Sequence, residues 1–537
     1  MHAARPRWWQ TAVVYEIYPR SFQDSNADGT GDLRGIADRL DYLAWLGIDA
    51  IWIAPFYPSP MADFGYDVAD YTNVDPLFGS LADFDALLAA AHERGIRVLV
   101  DYVPNHTSHR HPWFVESRGS RESARRDWYV WRDAAADGGL PNNWISMFAG
   151  PAWEWDEATQ QYYLHTFLPE QPDLNWRNPA TRAAMFDVAR FWLDRGVDGF
   201  RIDVAPMVMK DPQLRDNPPN RSQADVARLG AWGTQLHLHD HNHPDMHELY
   251  RSFRQLLESY PGDRVSIGEL HHPDYAVWAQ YYGERQDEIH VPFNFHLTYA
   301  PWTAAAVRAA VEGVQGVLPP GAWASWVLGN HDQPRFASER RAGRDQAKVG
   351  MLLLLSLRGT PTIYYGEEIG MVDVPVATWD ARDPVERREP GRGRDPERSP
   401  MQWDASPNAG FCPPGVRPWL PLAPDAAAVN VAGQAEDPYS ILTLTRRLIA
   451  LRREHGVLRT GDFAPFGATP HGTFAFRRQS HAGRLTVVLN LTAEPHVVPD
   501  AGAGRVLIGT HADRDGSQVE AAVELRPNEA LIIEQLG

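Results

Sequence analysis

Cysteine is almost missing from this chain of 537 residues: Cys412 stands alone. No internal disulfide can form, so the fold does not rely on an oxidising compartment. Basic residues are also short. Fifty-one Lys and Arg face sixty-nine Asp and Glu, giving a formal charge of -18 at pH 7. That balance repels nucleic acid and anionic membrane, and no basic tract reverses it locally. The longest apolar run, Val349 to Leu357, is broken by Gly350 and Ser356 and closed by Arg358. It falls far below the ~20 residues that span a bilayer. Residues Met1 to Trp8 carry positive charge with no apolar stretch behind them, so no signal peptide is expected and a cytoplasmic protein is the default. The rest is globular in composition, 44% hydrophobic and 22% charged. That is enough for a large core and excludes disorder for most of the length. Twenty Trp and nineteen Tyr suit either a large core or a carbohydrate site.

One phrase recurs through the first two thirds: amphipathic helix, glycine, short apolar strand, polar cluster. Ile36, Leu40, Leu43 and Leu46 keep the helical period, Gly47 stands at the helix end, and Ile48 to Ala54 reads as a buried strand. The phrase returns at Phe84 to Tyr102 around Gly95, at Met185 to Val204 around Gly196, and at Tyr250 to Gly268. Further strands are expected at Val13 to Tyr18, Trp323 to Leu328 and Pro361 to Tyr365. Near-continuous apolar strands separated by helices predict a parallel sheet buried on both faces. Seven or eight such units close most naturally as a (β/α)8 TIM barrel, with an open doubly wound sheet as the alternative.

Polar clusters end these strands: Asn105 and His106, Asp203, Glu269, and Asn330 to Asp332. In a barrel the strand C-termini converge on one face, which would gather these residues in one pocket. Any one of them alone reads as a helix cap or loop residue; four clusters at equivalent points of successive units do not. The catalytic barrel is expected over residues 1–104 and 172–458. A Trp-, Tyr-, Gly- and Pro-rich excursion at 105–171 forms an inserted B domain after the third strand. An Arg-, Pro- and Gly-rich insertion occupies about 379–436, and an antiparallel β domain, a C-terminal β-sandwich, fills 459–537.

Asp203 and Glu269 supply the two carboxylates that glycoside hydrolysis needs, one to attack the anomeric carbon and one to protonate the leaving oxygen. Arg201, two residues before Asp203, shares its strand face and is expected to keep that carboxylate ionised. Glu269 follows Ser266, Ile267 and Gly268 in a largely apolar setting, the kind that raises the pKa of an acid. Two acids could also bind a metal, but Arg201 beside them would compete with a cation.

The sequence resembles glycoside hydrolase family 13, the α-amylase family. The motifs that carry the resemblance are Asp101 to His106 (Asp-Tyr-Val-Pro-Asn-His), Gly199 to Asp203 (Gly-Phe-Arg-Ile-Asp), Ile267 to Glu269 and Asn330 to Asp332. Gly47 to Pro55 and Gly366 to Glu368 support them, and the resemblance covers essentially the whole chain. It implies Asp203 as nucleophile, Glu269 as general acid/base and Asp332 as the carboxylate that binds the reacting glucose. His106, His331, Arg201 and Tyr66 are implied around that sugar, with Tyr66 as a stacking platform. Gln171 to Trp176, Arg398 to Trp403 and Asp63 to Asp67 resemble the exo-acting bacterial α-glucosidase and oligo-1,6-glucosidase branch. In that branch Asp63 and Arg398 clasp the non-reducing end, and Phe167 packs near the same sugar. Val204 after the nucleophile leans toward α-1,6 tolerance, while Ala205 to Pro219 looks more like maltose-active enzymes.

These features predict an enzyme that releases α-glucose from short α-glucosides of the maltose and isomaltose type, with transglycosylation as a side reaction. The alternative is a glucosyltransferase or disaccharide isomerase of the same family, sucrose-using or trehalose-forming, which shares every catalytic residue. A catalytically dead relative is nearly excluded, because all three acids are present and no membrane anchor is visible. The expected partner is a small oligosaccharide or glucoside.

No cofactor is expected for catalysis. Asp24, Asn26, Asp28, Thr30 and Asp32 place hard oxygen donors at alternate positions around Gly29, in the manner of a calcium loop. Gly35 stands where an EF-hand has its twelfth-position glutamate, so this is no EF-hand. Family members hold a calcium, sometimes magnesium, ion in this loop, and a structural Ca2+ or Mg2+ is expected here; the alternative is an Asx-rich turn without an ion. His237, His239, His241, His243 and His247 could chelate zinc if extended, but Asn242 and Pro244 favour a solvated loop.

Overall fold

The computed structural model describes residues 6–535; Met1 to Arg5, part of the N-terminal stretch considered above, lie outside them. Eight parallel strands form the barrel: β1 Val14–Ile17, β2 Ala50–Ile53, β3 Arg97–Tyr102, β4 Gly199–Ile202, β5 Val265–Leu270, β6 Val291–Asn294, β7 Ser325–Val327 and β8 Thr360–Tyr364. The ladder runs β7-β8-β1-β2-β3-β4-β5-β6. At the seam the Asn294 amide donates to the Ser325 carbonyl. Strands β1, β2, β4, β5 and β6 are buried at every position, as expected when helices cover one face and the barrel interior the other.

The helix-glycine-strand phrase folds as read. The helices Leu40–Leu46 and Pro179–Arg195 end on Gly47 (φ 99°) and Gly196 (φ 104°), left-handed positions that any side chain would strain. One strand went unread: β6 follows a short polar segment, His290 lies just before it, and Pro292 interrupts its apolar run.

Between β3 and β4 the chain makes its excursion, built on a three-stranded antiparallel sheet of Trp131–Arg132, Gln161–Leu164 and Trp153–Asp156. After the helix Ile441–Glu454, a six-stranded antiparallel sheet and a two-stranded partner form the C-terminal β domain. Its inner face is filled by residues such as Val488, Val506, Leu531 and Ile533.

Register positions the chemistry. Asp101 on β3 lies opposite Arg201 on β4, and Arg201 lies opposite Ile267 on β5. Two residues further along, Asp203 is level with Glu269 at the C-terminal rim, on the same faces as Arg201 and Ile267.

Candidate active site

At the rim of β3, β4 and β5, one buried guanidinium grips three buried carboxylates. Arg201 Nη1 donates to Asp203 Oδ1 at 2.7 Å and to Asp101 Oδ1 at 2.9 Å, and Nη2 lies 2.7 Å from Glu269 Oε2. Val204 holds a left-handed conformation (φ 38°, ψ 46°), strained for a β-branched residue. In that conformation its N–H donates to Glu269 Oε2 at 3.0 Å. The turn after Asp203 thus fixes the second acid.

One cation cannot neutralise three buried acids, so a proton is shared among them. Burial pushes Asp203 well above the usual carboxylate range, against the pull of Arg201, and the charge on Glu269 adds to the push. Burial pushes Glu269 the same way, yet Arg201 and His271 outweigh it and hold it down to about 2. Asp101 rises to about 6 through burial, opposed by Arg201. Two expectations from sequence are corrected here. The setting of Glu269 is polar rather than apolar, because His271 Nε2 lies 2.8 Å from its Oε1; and burial pushes Asp203 upward despite Arg201.

Asp332 faces this trio from the loop after β7, and its side chain, 23% exposed, is the most open of the three predicted catalytic acids. Arg398 donates to it at 2.7 Å, Arg394 at 3.2 Å, and His331 Nε2 lies 3.2 Å away. Despite burial, these three hold Asp332 far below the carboxylate range. His331 bridges Glu16 Oε1 (2.6 Å) and the Tyr66 hydroxyl (2.7 Å), and Tyr66 stacks on its ring. Burial lowers His331 to about 3 and His106 to about 4, leaving both neutral hydrogen-bonding groups. Phe167 meets the His106 ring edge-on at 5.1 Å.

The back wall brings a second arginine beside the expected Asp63 and Arg398. Asp63 is gripped by Arg394 at 2.7 Å and by Gln171 at 3.1 Å, while Arg398 serves Asp332 and the His331 carbonyl. Arg394 also binds Asp383 at 2.9 Å and so ties three acids together. Arg394 and Asp383 were missed by sequence reasoning, because nothing in the Arg-rich stretch distinguishes these two from their neighbours. Asp101 opens a motif already quoted and could have been found.

The acidic loop lies apart from this site. Asp24 accepts from the amides of Asn26, Ala27 and Gly29, Asn26 from Asp28, Asp28 from Thr30, and Asp32 from Ser25 and Gly35. Its donors suit a hard cation in type and order, but the carboxylates are not drawn into a cage. Among the described residues no three His, Cys, Asp or Glu are grouped to hold a metal. The histidines disperse as well: His237 pairs with Asp240, His239 with Asp211, and His247 with Glu288.

Residues 16–461 match the family model "Alpha amylase, catalytic domain". A probable alpha-glucosidase of Rhizobium meliloti (strain 1021) is 43% identical over 91% of this chain and 90% of its own length. An oligo-1,6-glucosidase of Parageobacillus thermoglucosidasius is 37% identical over 98% of both. The solved structure of an alpha-glucosyl transfer enzyme, XgtA, superposes with a TM-score of 0.93 at 41% identity, covering 99% of this chain and 100% of that one. The chain belongs to the α-amylase family, glycoside hydrolase family 13, in its bacterial α-glucosidase and oligo-1,6-glucosidase branch. It is a glycoside hydrolase of the α-glucosidase type.

Proposed function

We propose that the protein is a retaining, exo-acting α-glucosidase that releases α-glucose from the non-reducing end of maltose- and isomaltose-type glucosides. The observation that carries this reading is the single guanidinium of Arg201 joining Asp203 and Glu269, which supports a pair of carboxyls acting on one glycosidic bond. In the first step Asp203 Oδ attacks the anomeric carbon, the glycosidic bond breaks, and Glu269 gives its proton to the departing oxygen. In the second, water attacks the same carbon, Glu269 takes its proton, and the bond to Asp203 breaks. The first step needs the shared proton on Glu269 and Asp203 bare.

Asp332, fixed as an anion by two arginines, is suited to accept hydroxyl hydrogens of the terminal glucose. Asp63 and Arg394 close the wall behind it, which supports an exo mode. Phe148, Phe167, Leu168, Val204, Met207, Trp232 and Val385 form one buried apolar cluster that backs the turn after Asp203. The likeness to an alpha-glucosyl transfer enzyme favours transfer to a sugar hydroxyl as a second outcome of the same intermediate. A cytoplasmic location belongs to this reading and rests on the lone, buried Cys412. Asp24, Asn26, Asp28, Thr30 and Asp32 are further proposed to take a structural Ca2+ or Mg2+, with no part in the chemistry.

Reaction with 5-fluoro-α-glucosyl fluoride should add one fluoroglucosyl group to the protein, on the peptide bearing Asp203. A label on another acid, or none in an enzyme active on maltose, overturns the assignment.

A further inference from the structure

His271, immediately beyond β5 and two residues after Glu269, belongs to none of the motifs above, yet among the described residues it is the one side chain bonded to the second acid that can both donate and accept. Its Nε2 lies 2.8 Å from Glu269 Oε1, and its Nδ1 lies 2.7 Å from the Tyr299 hydroxyl. Phe295 stacks on the ring at 4.0 Å with an 18° tilt and fixes its plane. The Tyr299 hydroxyl accepts a longer bond from Gln333 Nε2 at 3.4 Å, and Arg228 sits 5.4 Å above the tyrosine ring.

The other partners of Glu269 can only donate: the guanidinium of Arg201 and the N–H of Val204 both favour the carboxylate. An acid/base that alternates between carboxyl and carboxylate needs a neighbour able to reverse its role. Imidazole can do so provided its far nitrogen meets a group that also reverses, and a tyrosine hydroxyl is such a group.

We propose that His271, with its tautomer set by Tyr299, is the positioning residue that lets Glu269 be held in both protonation states; this rests on Glu269 being the acid/base. With Glu269 ionised, Nε2–H donates to Oε1 and Nδ1 accepts the Tyr299 proton. With Glu269 protonated, Oε1–H donates to Nε2 and Nδ1–H donates to the Tyr299 oxygen. Passage from the first arrangement to the second moves the Nε2 proton to Oε1 and the tyrosine proton to Nδ1. The hydroxyl is then reprotonated from solvent at partly exposed Tyr299, so one proton is taken up in all. The charges facing this pair are Arg201, Asp203, Asp101 and Asp332 around Glu269, and Arg228 beside Tyr299.

The test compares kcat/KM of wild type, His271→Ala, His271→Gln and Tyr299→Phe on maltose and on α-glucosyl fluoride. The aglycone of maltose needs a proton to leave; fluoride does not. His271→Ala is expected to lose about tenfold or more on maltose and to stay within about threefold on the fluoride. His271→Gln, whose amide both donates and accepts, should recover most of the loss, and Tyr299→Phe should lose less in the same direction. Because His271 helps hold Glu269 down, its removal should also move the alkaline limb of the maltose profile to higher pH. Equal losses on both substrates, or no loss on maltose, overturn the proposal. A wild type inactive on both substrates overturns the glucosidase reading itself, and this inference with it.

Discussion

Two arginine clusters share the pocket and are built differently. The inner one, around Arg201, stands on strands: Asp101, Arg201, Asp203 and Glu269 are set by the register of β3, β4 and β5. The outer one, around Arg394 and Arg398, comes from the inserted segment; it holds Asp383 of that same segment and reaches Asp63 and Asp332 on loops far apart in the chain. In the inner cluster three acids face one guanidinium, and burial pushes Asp203 and Asp101 up. In the outer one two arginines hold Asp332 as a permanent anion, which suits binding. On the proposed reading, strand register supplies the reactive pair, and the loop insertion supplies recognition of one sugar end.

The largest expected effect separates chemistry from binding. Asp203→Asn should lower kcat on maltose by about 10⁴-fold or more while binding of glucose, followed by calorimetry, survives. Next is Arg201→Met, which strands three buried carboxylates. Removing one partner of a buried ionic group costs about 3–5 kcal/mol, readable as an earlier denaturant midpoint, whereas the more accessible outer cluster should tolerate Arg394→Met with a smaller loss. On activity, Arg394→Met should raise KM for maltose about tenfold or more and change kcat less.

Smaller again is a pH effect on binding. Burial lifts Asp63 to about 6 against the pull of Arg394. Its anion is therefore present above that value and lost as pH falls through it, taking the Arg394 ion pair with it. KM should rise below about pH 6, and Asp63→Asn should flatten that limb. The smallest effect concerns the acidic loop: EDTA should lower the melting temperature by a few degrees at most (about 1 kcal/mol or less), restored by Ca2+, without changing kcat.

The barrel was legible because helix period, glycine caps and buried strands repeat in phase; β6 escaped because Pro292 and a polar approach break its apolar run. The reactive acids were legible because each ends a strand, where register alone determines the neighbours. Arg394 was not, since its partners are set by how an irregular insertion folds back, which no local pattern encodes. The proton affinities of Asp203 and Glu269 were not legible for a related reason: they depend on His271 and Arg201 together, a cross-strand balance of burial and charge that residue spacing does not contain.

The central claim is that Asp203 and Glu269 work as a retaining pair behind a one-glucose wall. Proton NMR of maltose hydrolysis tests it most directly by showing which glucose anomer appears first. The account predicts α-glucose at the outset, mutarotating later to the β form, with the signal lost in Asp203→Asn. First appearance of β-glucose would mean a single inverting displacement and would contradict the role assigned to Asp203.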